Sequence, residues 1–169
     1  MIELPQVAQR LRDAFGDDAD TDAITELATD WLREAGGGAT HDATLQILFD
    51  DLRDDLARHS PDDLLTRYVV ERRVRALSRR SLALGEQVLA GELSDDDARS
   101  AGEALLNEVE ALSPQVKALT DDDPFVRALK KTFQQVSLEA LYAIHREVMS
   151  ARLQALDAEA SDEAPPQVW

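Results

Sequence analysis

The chain contains no cysteine. That excludes disulfides, thiolate nucleophiles and cysteine-ligated metals. Lysine is nearly as scarce, supplying three of the 18 basic residues. Aromatic residues make up 5% of the sequence, so a core must be built from Leu, Val, Ile and Ala. No window approaches the roughly 18 consecutive apolar residues that a membrane-spanning helix needs. The opening MIELPQVAQR lacks the basic start and apolar run of a secretory signal, so a cytoplasmic protein is the expectation. No segment alternates apolar and polar residues with period two, and none is rich in β-branched residues. A sheet is therefore not expected.

Motifs that carry chemistry are also missing. There is no phosphate-binding, dinucleotide-binding or nucleophile-elbow glycine motif. GGG at 36–38 follows no strand and reads as a linker. His41, His59 and His145 form none of the usual metal-ligand spacings. Glu139 and His145 are six positions apart, whereas a ferritin-like site needs i, i+3. His41 and His59 sit at helix ends, where imidazole is usually solvated or capping. The acidic runs at 50–55, 94–97 and 120–123 lack the glycine and ligand spacing of a calcium loop. Two of them stand at helix starts, where carboxylates favour the positive end of the dipole. No catalytic residue, metal site or cofactor is expected.

What the sequence does contain is acid. Thirty-four Asp and Glu face 18 Lys and Arg, for a net charge of −16. Such a surface repels nucleic acid and anionic membrane over most of its area. It fits either a GC-rich genome or a cytoplasm of very high salt. The 169 residues, 44% hydrophobic, suffice for one compact domain or two very small ones.

Punctuation divides the chain into about six helices, so the expected fold class is an all-α bundle. The periodic segments run from Leu4 to Phe15, Thr21 to Ala35, His41 to His59, Pro61 to Ala90, about Asp95 to Leu112, and Pro124 to Asp157. Ser60 and Ser94 are N-cap residues with an acid three positions on. Gly16, GGG at 36–38 and Gly91 are stops. Ser113–Pro114 opens a separate short turn. The expected organisation is an N-terminal helix pair over 1–35, a bundle over 41–157 with a long C-terminal helix, and a disordered acidic tail over 158–169.

RYVVERRVRALSRR at 67–80 concentrates six arginines in this acidic chain. At 100° per residue, Val70, Val74, Leu77, Ser81, Leu84 and Val88 form one seam. Leu64, Leu82 and Leu89 flank it on one side, and Leu65, Val69, Ala76 and Ala83 on the other. The helix should therefore be central in the bundle. The remaining wedge holds Tyr68, Arg72, Arg75, Arg79 and Glu86. Arg72, Arg75 and Arg79 thus form one ridge. The ridge either pairs with Asp50, Asp51, Asp54 or the acids at 95–97, or binds an anionic ligand or acidic partner. The stretch YVVERRVRALSRRSLAL…GELSDDDARSAGEALLNEVEAL, residues 68–112, resembles the helical half of archaeal GINS replication-factor subunits. Those also follow an Arg-rich amphipathic helix with an acid-capped one. The resemblance implies a nucleic-acid-associated factor, although that family's small β domain has no counterpart here.

The last helix carries two apolar stripes. The core stripe is Val126, Leu129, Phe133, Val136, Ala140, Ile144, Val148, Ala151 and Ala155. The second is Leu138, Tyr142, Met149, Leu153 and Leu156, with His145 among them. Either the N-terminal helices cover this second face or another chain does, as a homodimer or protein partner. The expected function is a non-enzymatic adaptor, assembly or regulatory subunit, self-associating through this helix. A nucleic-acid-associated factor using the arginine ridge is the alternative, and no membrane partner is expected.

If the carboxylate excess is an adaptation to salt, self-repulsion destabilises the fold at low ionic strength. The thermal unfolding midpoint should then rise from low to molar KCl, and a flat profile would remove that reading.

Overall fold

The computed structural model describes residues 1–120 and 123–162, leaving aside the side chains of 147, 149–153, 157 and 159–162. It is all-α, with no strand among the described residues. Six helices follow in order: α1 (Leu4–Phe15), α2 (Thr21–Ala35), α3 (His41–Leu56), α4 (Pro61–Ala90), α5 (Asp95–Ala118) and α6 (Pro124–Asp162). Contacts divide the chain into two compact units, Met1–Arg75 and Ala76–Trp169. The division falls inside α4 rather than at the glycines of 36–38, which link α2 to α3 within the first unit.

The helix ends are fixed by local chemistry. The Asp20 carboxylate accepts from the Ala23 backbone N–H at 2.7 Å. Ser60 Oγ accepts from Asp63 N–H at 3.3 Å and donates to the Asp63 carboxylate at 2.6 Å. Ser94 repeats the arrangement with Asp97, at 3.1 and 2.6 Å. These caps satisfy donors that the first helical turn leaves without intrahelical partners. α4 ends at Gly91, whose φ of 71° lets Glu92 N–H reach back to the Gln87 carbonyl at 3.0 Å. That is a Schellman closure, which strongly favours glycine.

The first unit buries Val7, Leu11 and Phe15 of α1, Ile24, Leu27, Ala28 and Trp31 of α2, and Leu45, Phe49 and Leu52 of α3. Leu64, Leu65 and Val69 of α4 join them in one cluster. Its few aromatics are clustered. Trp31 meets Phe49 edge-on at 5.1 Å and Tyr68 at 6.4 Å, and Arg10 lies 3.8 Å over the Phe49 ring. Such contacts add modestly to burial. His41, expected to be solvated or capping, is 4% exposed. Its Nδ1 lies 2.5 Å from the Gly36 carbonyl and its Nε2 3.0 Å from that of Ile2. It ties the glycine turn and the first residues to the start of α3.

In the second unit, Leu77, Ser81, Leu84 and Val88 of α4 are buried, as are Ala98, Leu105, Val109, Leu112 and Val116 of α5. From α6 come Val126, Leu129, Phe133, Val136, Ala140 and Ala143. Ser81, the polar member of the α4 seam, donates to the Glu139 carboxylate of α6 at 2.5 Å. Gln135 donates to the other oxygen of Glu139 at 3.1 Å. This pairing satisfies a buried hydroxyl and fixes α4 against α6.

Four expectations need correction. α4 is apolar and buried on both flanks only in its first half. Further on, Ala76, Leu82, Ala83 and Leu89 are exposed, because the seam alone turns inward there. α5 does not stop at Leu112 but passes through Pro114 to Ala118. Pro114 and Glu110, whose carbonyl loses its donor, both face solvent, while Leu112 and Val116 continue the buried stripe. α6 continues past Asp157 to Asp162, so 158–162 are helical and 163–169 lie outside the described residues. Val148 and Ala155, placed in the core stripe, are exposed. α5 and α6 are antiparallel. Arg146 reaches Asp95 at 3.8 Å and the Leu93 carbonyl at 3.5 Å, so the start of α5 lies level with Arg146.

α5 and α6 touch backbone to backbone at Gly102. A Cβ there would stand 2.8 Å from the Ala140 carbonyl oxygen and 2.9 Å from Ile144 Cγ1. Gly85, inside α4, has nothing within 4 Å of such a Cβ. Gly85→Ala should therefore gain up to about 1 kcal/mol from helix propensity alone. Gly102→Ala should lose about 1–3 kcal/mol through overpacking. Urea unfolding of both variants checks the pair, and a stabilised Gly102→Ala would refute the close approach.

Candidate functional site

Two features could meet a partner: the arginines of α4 and the outer face of α6. The inward seam of α4 forces its arginines outward, but they do not form one free ridge. Arg72 donates to Glu34 of α2 at 2.5 Å, and Arg75 pairs with Glu71 one turn back at 2.5 Å. The expected partners Asp50, Asp51 and Asp54, and the acids at 95–97, do not take these two. α2 presents Glu34 to Arg72, and the i, i+4 spacing presents Glu71 to Arg75. Arg73 grips Glu26 with two hydrogen bonds of 2.9 and 2.7 Å. In the second unit Arg80 grips Glu108 likewise, at 2.5 and 2.7 Å. Arg79, also in the second unit, is exposed.

Arg72 and Arg75 line a cleft of the first unit, about 360 Å³ in volume, together with Trp31, Asp51, Asp55 and Tyr68. The Tyr68 hydroxyl donates to the Asp55 carboxylate at 2.6 Å. Burial first, and then that hydrogen bond, raise the Tyr68 pKa far above its ordinary value. Asp55 also accepts from Arg58 at 2.8 Å. Glu71 is buried at the cleft wall. Burial raises its pKa above the ordinary carboxylate value, and Arg75, Arg72 and Arg67 only partly oppose this. The exposed Glu108 carboxyl is lowered by the hydrogen bond from Arg80. The cleft lining holds Glu34, Asp51, Asp54, Asp55 and Glu71 against Arg58, Arg72 and Arg75, so acids outnumber arginines five to three. The Arg80–Glu108 pair, roughly half exposed on both sides, is of the kind that stabilises by only about 0–1 kcal/mol. Among the described residues, no group of three His, Asp or Glu could hold a metal ion.

The α6 face has the opposite character. Leu138 is 61% exposed and Leu156 53%, and Tyr142 and His145 are also exposed. The Met149 and Leu153 side chains fall outside the described residues. Two further apolar residues, Leu141 at 40% and Val148 at 67%, are exposed beside this line. Periodicity assigned Val148 to the core stripe, and it could have flagged Leu141, which stands three positions from Leu138. No helix among the described residues is long and apolar enough to cross a membrane. No protein-family model, curated protein or solved structure matches the chain. The resemblance to GINS subunits therefore rests on residues 68–112 alone.

Glu71 generates a pH test. A carboxyl whose pKa is higher in the fold than in the unfolded chain binds its proton more tightly when folded. It therefore favours the fold fully below the ordinary value of 4.5, and that contribution is lost as pH rises through the folded pKa. Glu71→Gln removes this loss while keeping the shape. The stability of the variant relative to wild type should increase as pH rises from 4 toward neutrality. Urea unfolding across that range measures the difference, and a difference that shrinks with pH would contradict the assignment.

Proposed function

We propose that this chain is a helical interaction protein, an adaptor, assembly or regulatory subunit, that binds a second copy of itself through the outer face of α6. The observation that carries this reading is the row Leu138, Tyr142 and Leu156, with Leu141 and Val148 beside it, all exposed on one helix. Fully burying one large apolar side chain stabilises by about 1.5–3 kcal/mol. A continuous apolar row on a surface helix is a recurrent mark of an interface. In sequence, the stripe Leu138, Tyr142, His145, Met149, Leu153 and Leu156 repeats every three or four residues, a spacing that suits packing against another helix.

The arginines of α4 support a nucleic-acid role less well. Arg72, Arg73, Arg75 and Arg80 each have a carboxylate within 2.7 Å. A phosphate must displace those carboxylates and approach against a net charge of −16.

Sedimentation at increasing protein concentration tests the reading. Wild type should dimerise at micromolar concentration, more tightly as salt screens the acidic surface. Leu138→Glu/Tyr142→Glu should be monomeric with unchanged helix content, because both side chains are exposed already. A wild type that stays monomeric would sink the proposal.

A further inference from the structure

We infer that the second copy lies antiparallel, α6 against α6, with the pair centred near residue 147. This inference rests on the self-association reading and adds an orientation to it. Two independent features point to the same centre. The first is charge. Residues 124–146 carry four basic groups, Arg127, Lys130, Lys131 and Arg146, against Glu139 alone, so 4 − 1 gives +3, of which Arg146 already faces Asp95 at 3.8 Å and Lys130 the Leu119 carbonyl at 2.7 Å. Residues 147–162 carry one basic group, Arg152, against Glu147, Asp157, Glu159 and Asp162, so 1 − 4 gives −3. α6 is therefore neutral in a chain of net charge −16, and its sign changes between 146 and 147. Much of the remaining surface repels a copy of itself, whereas this helix does not.

The second feature is the apolar row. It runs from Leu138 to Leu156, and its midpoint is residue 147. At 100° per residue, Leu138, Tyr142, His145 and Leu156 lie within about 40° of one line along the helix. A two-fold axis through this midpoint sets Leu138 of one copy opposite Leu156 of the other. It also sets each basic half against an acidic half. A parallel pair would instead oppose like charges along the whole length, at a separation below the ~8–10 Å Debye length. Antiparallel helix dipoles favour the same arrangement. The contact reaches beyond the level of Arg146 and Asp95, where α5 leaves α6 uncovered.

Cross-linking decides the orientation, and the absence of native cysteine removes any background. Leu138→Cys and Leu156→Cys are made separately in otherwise wild-type chains, one bearing an affinity tag. Both sites are exposed, and cysteine keeps the face apolar. The two proteins are mixed, equilibrated and treated with a short thiol cross-linker. In an antiparallel pair the 138–156 product should exceed the 138–138 and 156–156 products at least about tenfold, because same-site thiols then lie roughly 27 Å apart. Predominant same-site products in a dimeric protein overturn the orientation and leave self-association standing. A dimer that yields no product overturns this face as the contact. A monomeric wild type at micromolar concentration overturns the underlying reading, including the case in which the face serves a different protein.

Discussion

The inward stripe of α4 constrains the outside of that helix as strongly as the inside. Once Val70, Val74, Leu77, Ser81, Leu84 and Val88 are buried, helix geometry places the neighbouring arginines outside the seam. Arginine is always charged, so each must face water or a carboxylate. An acidic chain supplies carboxylates in abundance. Glu34, Glu26, Glu71 and Glu108 meet Arg72, Arg73, Arg75 and Arg80. The basic segment is thus a local balance of charge set by the rotation of one helix. Its paired groups also lie in two different units, with Arg72 and Arg75 in the first and Arg80 in the second.

Much of the fold was legible in the sequence because its signals are local. Ser60, Ser94, Gly16 and Gly91 act over three to five residues, and the helix boundaries at those sites follow from them. The α4 seam was legible because six residues keep one period and all six are buried. Pro114 misled because a proline can remain in a helix when the carbonyl it deprives faces solvent. Burial of Val116 then favours continuation over a break. The carboxylate partners were less legible. Glu71 lies one turn from Arg75, but Glu34 is 38 positions from Arg72 and Glu26 is 47 from Arg73. Periodicity carries no information over such separations. The same holds for His41, whose two carbonyl contacts come from the residues that the tertiary fold brings to it.

The face of α6 illustrates the complementary difficulty. Periodicity marks an apolar row but does not say what stands opposite. Val148 fits the core stripe by angle, yet it is exposed because α5 begins at Asp95, level with Arg146. The length of the neighbouring helix, rather than the composition of α6, decides where the core stripe ends. The Leu138 row is exposed for another reason: it lies away from the side on which Val136, Ala140 and Ala143 are buried.

The contact of α5 with α6 at Gly102 also bears on the speed of assembly. Only positions 119–123 separate the two helices, so little loop-closure entropy opposes their meeting. Contacts that are close in sequence form early, and helical folds built from them reach the native state in microseconds to milliseconds. In the closed hairpin the chain at Gly102 comes within reach of the Ala140 carbonyl. A side chain at 102 would hold the helices apart at the moment their apolar stripes first align. If this contact is already formed in the transition state, the missing Cβ lowers the barrier to folding as well as relieving the finished fold.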